Sequence, residues 1–468
     1  MTNVCVAYGN FAANGFADVR AADSPGATPL DFTRDESVND DLPQPGGGMN
    51  QGTRTAVAPD GKIYNVFQRF VSAPGDGSVK QLTYLLSVST DGGQTWTVAN
   101  SDHPSGAKII AADVLSFQGN GSKIGNVNAL LGGVDALTVD KNGTVWVVYG
   151  SRPTLTGNDQ LYLVPVTYSN GSLNVGTRRT LTSSTLSNYL PSVAVLPNGE
   201  VGVLFLTMDP STFLFQWTFV QWTNGAVLGK TTSFPSFMSP FAPDVGNTRQ
   251  RIFGDYIQVR AVGCSFYGTF PALGAGVNSA TSIDPYFMSA PSNTACSLNA
   301  LTVISPTTKC AGAPGFNLTL QGTGFARGAT GRAQGTLRNT SFVSTTQLTM
   351  AVQAADIATP GTKSIDVLGA LPAGGLTGSL PLTVLPLAAS PGSSLLASPN
   401  AGINVGLSWS ASIGATSYAV RRCNATAGPC APVTIATPAT NSYADGVLLD
   451  GNNYWYAIDA VNSCGAVP

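Results

Sequence analysis

Short runs of Val, Leu, Ile, Tyr, Phe and Thr alternate with clusters of Gly, Asn, Asp, Ser and Pro along nearly the whole chain. Apolar stretches bounded by turn residues predict β-strands joined by tight hairpins. No long segment holds a helical period. One hairpin pattern recurs. It spans Ala56 to Phe67 with Pro59-Asp60-Gly61-Lys62 at the turn. It spans Leu137 to Tyr149 with Asp140-Lys141-Asn142-Gly143, and Val193 to Phe205 with Pro197-Asn198-Gly199-Glu200. A weaker copy runs from Val259 to Phe270. In each, glycine supplies the positive φ that a tight hairpin requires.

Further strands are predicted at Leu82 to Ser89, Gln160 to Tyr168 and Phe213 to Trp222, with a partial unit over Val4 to Tyr8 and Phe16 to Ala22. The stretch 101–130 fits no unit. Four strands repeated every ~40–60 residues predict a β-propeller of five or six blades, because a lone four-stranded sheet leaves a face uncovered and a neighbour covers it. The style changes at Ser297. Residues 297–385 are rich in Thr, Gly and Ala, and a Pro/Ser stretch from Leu385 to Pro399 leads into a third segment. The reading is all-β: a propeller over 1–296, then β-sandwich domains over 297–386 and 387–468. The pattern leads one to expect a chain that begins inside a blade and lacks a last strand, as a fragment or trimmed chain would.

Composition narrows the chemistry. Of 468 residues, 10% are charged and the net charge is −2, against the clustered basic surface that nucleic acid needs. Hydrophobic content of 43% supports real cores. No uninterrupted apolar run reaches the ~18 residues of a spanning helix, so no membrane span is expected. Met1 to Phe16 has no basic region followed by an apolar run, so no secretory signal is read there. His103 is the single histidine, which excludes a multi-histidine zinc site; in its loop it has no nucleophile motif to serve. Glu36 and Glu200 are the only glutamates, so acid/base work falls to Asp, Tyr or Arg. The seven cysteines form no CxxC pair, and an odd count leaves at least one unpaired.

Ser89-Thr90-Asp91-Gly92-Gly93-Gln94-Thr95-Trp96 matches the Asp box S-x-D-x-G-x-T-W, with Ser89, Asp91, Gly93, Thr95 and Trp96 at the fixed positions. A degraded copy from Ala22 to Pro29 keeps Gly26 and Thr28. Through these the first 290 residues resemble the sialidase-like (BNR-repeat) propellers. The resemblance implies a structural Asp box, away from any catalytic centre. It implies for an active enzyme an arginine triad, a tyrosine nucleophile with a glutamate partner and an aspartate acid/base. The family's F-R-I-P motif is not found; Glu200 lies in a turn and Glu36 in an acidic loop, so neither is assigned as that partner. The segment Arg249-Gln250-Arg251-Ile252-Phe253-Gly254-Asp255-Tyr256 resembles a G-D-Y strand opening of the final blade. It offers Arg249, Arg251, Asp255 and Tyr256 as ligand-binding candidates, with Arg251, Asp255 and Tyr256 also weak catalytic candidates; an Arg–Asp pair closing the ring is the plainer alternative. Arg54 is a similar, weaker candidate. Two carboxyls across a glycosidic bond would be Asp255 and Asp135, by elimination. Among the acids of the Asp31–Asp41 loop, Asp35, Asp40 and Asp41 are weak Ca²⁺ candidates, a solvated loop being the plainer reading. No other metal or cofactor is expected.

Ile304-Ser305-Pro306, Leu320-Gln321-Gly322-Thr323-Gly324-Phe325 and Gly361 to Val367 resemble IPT/TIG immunoglobulin-like domains, as scaffold. Leu407-Ser408-Trp409, Gly414 to Val420 and Leu448-x-x-Gly451-x-x-Tyr454-x-Tyr456 resemble a fibronectin type III domain with its tyrosine corner. There Cys423 and Cys430 flank a short loop, placing them within disulfide reach across a hairpin and implying an oxidising compartment. The leading reading is a bacterial-type extracellular or cell-surface protein whose propeller binds a glycan or similar surface ligand, with the sandwiches as spacers or adhesive modules. The alternatives are an exo-glycosidase of sialidase type and a virion or tail protein.

Overall fold

The computed structural model describes residues 4–10, 18–24, 34–37, 50–72, 79–96, 107–117, 123–124, 127–128, 135–154, 156–212, 214–223, 227–237, 257–273, 283–296, 298–370, 375–399, 404–426, 429–446 and 448–468; of these, 4–10, 18–24, 34–37, 50–52, 70–72, 79–80, 113, 115–117, 123–124, 127–128, 227–228, 273 and 283 are described as backbone alone. Among these residues the chain is almost wholly β, with one 3₁₀ turn at Ala354–Ile357 and no α-helix. It divides into two compact units. Unit 1 is Met1–Asn299 with Gly324–Ala329 and Leu368–Leu376; unit 2 is the remainder.

Unit 1 is a series of antiparallel meanders. The first sheet is β1 (Val4–Asn10), β2 (Asp18–Ser24) and β3 (Arg34–Ser37). The second is β4 (Asn50–Val57), β5 (Ile63–Ser72), β6 (Val79–Ser89) and β7 (Lys108–Phe117). A small hairpin, β8 (Lys123–Ile124) with β9 (Val127–Asn128), follows. The third is β10 (Asp135–Val139), β11 (Val145–Ser151), β12 (Gln160–Ser169) and β13 (Ser172–Val175), with β14 (Arg179–Thr180) beside β12. The fourth is β15 (Ser187–Val195), β16 (Val201–Met208), β17 (Phe215–Thr223) and β18 (Val227–Ser233). The fifth is β19 (Gln258–Val262), β20 (Ser265–Leu273) and β21 (Ile283–Pro291). The leading strands β1, β4, β10, β15 and β19 lie beside one another in that order, the arrangement of propeller blades. Part of the unassigned 101–130 stretch is β7, the outer strand of the second sheet.

Burial explains the stacking. β11 and β16 are buried on both faces, because each is sandwiched between neighbouring sheets. One core joins Tyr64, Leu82, Val147, Leu204, Trp217 and Phe266; a second, between the third and fourth sheets, joins Trp146, Leu163, Val203 and Phe205. In the fifth sheet burial alternates along β19, so only one face is covered. Gly202 sits where a Cβ would come within 2.7 Å of the rings of Phe219 and Phe266. Gly202→Ala therefore should cost about 1–3 kcal/mol through overpacking between the fourth and fifth sheets. Urea unfolding measures it; a variant as stable as the parent would mean the rings move aside freely.

The recurring hairpins share one turn. Gly61 N donates to Ala58 O at 2.9 Å, Gly143 N to Asp140 O at 3.0 Å and Gly199 N to Leu196 O at 2.9 Å. The glycines have φ of 88°, 86° and 85°, where a side chain is strained. The antiparallel order fixes two ends for unit 1. The tight turns and the Asp box fall at one end, and the connections Arg152–Asp159 and Asp209–Leu214 at the other.

Unit 2 holds two pairs of facing sheets. The first pair sets Ala300–Ser305, Phe316–Thr323, Gln347–Val352 and Thr340–Ser344 against a sheet containing Thr308–Cys310, Leu380–Leu385, Gly361–Leu368 and Thr330–Ala333. Leu318, Leu320, Met350, Ile365 and Leu382 are wholly buried there. The second pair sets Val405–Ser408 and its neighbours against Val433–Ala436, Ser417–Asn424 and Tyr454–Asn462. Its core packs Trp409 edge-on against Tyr418, ring centres 5.3 Å apart, with Leu407, Val420 and Ile458. The Tyr454 hydroxyl accepts the Leu449 amide at 3.0 Å. Where the sequence suggests that a last strand is missing, the three residues Gly465–Val467 pair with Ala460–Asn462.

Candidate functional site

At the tight-turn end the side chains are occupied in holding the fold. Asp91 accepts from Ser89 Oγ at 2.8 Å, Thr95 N at 2.9 Å and Thr95 Oγ1 at 2.6 Å, while Ser89 Oγ accepts from Gly93 N. Burial works against the charge, but the Thr95 and Ser89 hydrogen bonds outweigh it and hold the carboxyl below its ordinary range. Trp96 is buried with Ile63, Phe67, Leu85 and Ala107. The hairpin at Asp140 does the same work without the sequence pattern. Asp140 accepts the Asn142 and Thr144 amides at 2.8 and 2.9 Å and the Trp146 indole N–H at 3.3 Å. Glu200 occupies the turn read from the sequence, yet is fully buried. It accepts from Gln221 Nε2 at 2.9 Å, Ser292 Oγ at 2.5 Å and Asn293 N at 3.0 Å. Asn198 beside it donates to Ser292 Oγ and Thr294 Oγ1 at 2.8 and 2.9 Å. These groups clamp the segment after β21 to the fourth sheet, and the Cys264–Cys296 disulfide closes the same region.

The opposite end carries the candidate site. Asp135 opens β10, Arg54 lies on β4 and Gln68 on β5, all between the second and third sheets. Asp135 is 1% exposed, and neither carboxyl oxygen has a hydrogen-bond partner among the described residues; the Gln68 amide nitrogen is also buried and has none among them. Desolvation pushes Asp135 up to about 7, against a weaker downward pull from the Arg54 charge and from Gln68, which stands near without meeting hydrogen-bond geometry. The guanidinium of Arg54 is exposed and donates from Nη1 to Thr53 O at 3.1 Å. Tyr149, directly opposite Asp135 across the ladder, stacks between Tyr84 and Tyr162 with ring centres 5.1 and 5.6 Å away. Burial raises the Tyr149 phenol, with Arg178 pulling the other way.

Between the third and fourth sheets, on this same end, Arg152 and Asp159 form a buried ion pair. Asn188 Nδ2 donates to Asp159 O at 2.8 Å, and burial followed by the Asp159 charge raises Tyr189. The structure thus brings Arg54 and Asp135 together. Arg249, Arg251, Asp255 and Tyr256 lie outside the described residues, as do Asp40, Asp41 and His103; of Asp35 only the backbone is described. Gln68, Arg152 and Asp159 escape sequence reading, since no motif marks them and their partners come from other strands. Among the described residues, no group of three or more His, Cys, Asp or Glu is arranged to hold a metal, and no helix is long and apolar enough to cross a membrane.

No family model matches the chain, and no curated protein matches it in sequence. Among solved structures it is similar to an α-L-arabinanase of Penicillium chrysogenum complexed with arabinobiose, at 12% identity and a TM-score of 0.34 over 76% of this chain and 91% of that one. It is similar to an endo-arabinase of Bacteroides thetaiotaomicron, at 14% identity and 0.31 over 62% and 94%. It is also similar to the NanB sialidase of Streptococcus pneumoniae, at 7% identity and 0.31 over 76% and 66%.

Proposed function

We propose that unit 1 is a five-bladed sialidase-like propeller that binds a glycan at the end bearing Arg54 and Asp135, in an extracellular or cell-surface protein of bacterial type. Residues 297–386 and 387–468 would be IPT/TIG-like and fibronectin type III sandwiches acting as spacers or adhesive modules. The observation that carries the reading is an exposed guanidinium backed by a buried carboxyl that has no hydrogen-bond partner among the described residues. Buried polar groups are normally satisfied, and exceptions concentrate at functional sites. Arg54 would hydrogen-bond ligand hydroxyls, and Asp135 with Gln68 would set the polarity behind it. Arg249, Arg251, Asp255 and Tyr256, immediately upstream of β19 in the chain, would add contacts. Three disulfides support export.

A glycosidase is the second reading, favoured by a carboxyl raised to about 7, as a general acid requires. Hydrolysis by two carboxyls needs a second one ~5–10 Å away. Asp159, the other buried carboxyl described at this end, is engaged by Arg152. Binding is therefore preferred. Arg54→Ala should weaken capture on a glycan array by at least about tenfold, the scale of a lost charge-assisted hydrogen bond. Fluorogenic sialosides and arabinosides should give no turnover. Equal binding by the variant sinks the binding site, and turnover lost in Asp135→Asn establishes the glycosidase instead.

A further inference from the structure

The two sheet pairs of unit 2 meet at a joint that is fastened twice. The chain crosses it in very few residues: Leu385 ends a strand of the first pair, and Ala388 is already buried in the core of the second. Cys310, paired in register with Leu385, is bonded to Cys464 in the turn after Tyr454–Asn462, closing a separation of 154 residues. The two threads lie side by side, with Cys464 Sγ 4.0 Å from Leu385 O. Hydrogen bonds fill the space around them. Asn462 Nδ2 donates to Pro386 O at 3.1 Å and to Gly414 O at 3.2 Å; Ala389 N donates to Ile413 O and Ala311 N to Leu385 O, both at 2.9 Å.

A single covalent thread leaves twisting and bending free, and its few exposed hydrogen bonds open readily. A second thread beside it removes most of that freedom, because the loop it closes no longer samples separated ends. We propose that Cys310–Cys464 locks the two sheet pairs of unit 2 into one rigid rod, and that its reduction converts the joint into a hinge. Both cysteines are partly exposed, so a dithiol reductant can reach them. The reductant gives up two electrons and two protons; the S–S bond breaks into two thiols and the reductant closes to its own disulfide. Cys423–Cys430 spans seven residues within one hairpin and leaves the joint alone.

Hydrogen exchange on the full chain tests this. In Cys310→Ser/Cys464→Ser the amides of Ala311 and Ala389 should exchange about tenfold faster or more, while Leu320 and Ile458 in the two cores keep their protection. In Cys423→Ser/Cys430→Ser the joint amides should not change. Unchanged joint amides in the first variant overturn the proposal. So does loss of protection in both cores, which would make the bond a requirement of folding instead of a lock. Should that variant not fold, the wild-type chain reduced with dithiothreitol under native conditions is read at the same four amides, with the same outcomes.

Discussion

Asp135→Asn is expected to make unit 1 more stable above pH 7 and to remove most of the pH dependence of its unfolding between about pH 4 and 7. The wild-type carboxyl is raised from 3.8 to about 7 in the folded protein. Below pH 4 it is protonated both folded and unfolded, and the folded state has its full stability. As pH rises, the unfolded chain releases the proton first while the native state retains it, so stability falls until the folded group titrates near 7. At ~1.4 kcal/mol per pK unit, a shift of about three units corresponds to at most about 4 kcal/mol. Asparagine keeps the shape without the ionisation. Urea unfolding at pH 5 and pH 8 reads the difference; parallel curves for parent and variant would show that Asp135 is not held neutral by burial. The same substitution should impair capture of the ligand, a loss of function with a gain in stability that marks a functional group over a structural one.

Glu200→Ala is expected to cost about 3–5 kcal/mol, the scale on which a buried charged acceptor is missed by its partners. Gln221 Nε2, Ser292 Oγ and Asn293 N would lose their shared acceptor in a site that is fully buried. Glu200→Gln retains one oxygen and should recover part of the loss. Neither change should alter ligand capture, because Glu200 lies at the tight-turn end. A loss below about 1 kcal/mol in Glu200→Ala would mean that water replaces the carboxylate at little cost.

What sequence revealed here was local, and what it hid was long-range. The hairpins at Gly61, Gly143 and Gly199 were legible because a positive φ at the turn demands glycine. The Asp box was legible for the same reason, since all its bonds fall within a few residues. The Asp140 turn was legible as a hairpin, but its likeness to the Asp box was not: Thr144 keeps the motif's spacing, whereas the serine is missing and Trp146 stands one residue further on. Arg54 and Asp135 stood out singly as candidates, but their proximity depends on two sheets stacking. Glu200 was correctly set in a turn, although the partners that bury it arrive from β17 and from beyond β21. The cysteines divide in the same way. Cys423 and Cys430 flank one short loop, whereas Cys264–Cys296 and Cys310–Cys464 join segments that only the folded topology brings together.

The unequal ends of unit 1 bear on how such a chain diversifies. Register between adjacent strands is fixed where the glycine turns, the Asp box and the Glu200 clamp lie. The connection from Asp209 to Leu214 carries no such duty: its turn is closed by Asp209 N to Leu214 O and Ser211 to Asp209 contacts of its own. Insertions there, in contrast to insertions at Asn198 or Asn142, can be absorbed without resetting a sheet. New specificities can therefore arise by lengthening one rim while the other stays constant, and a selection library placed at 209–214 would begin with most of its members folded.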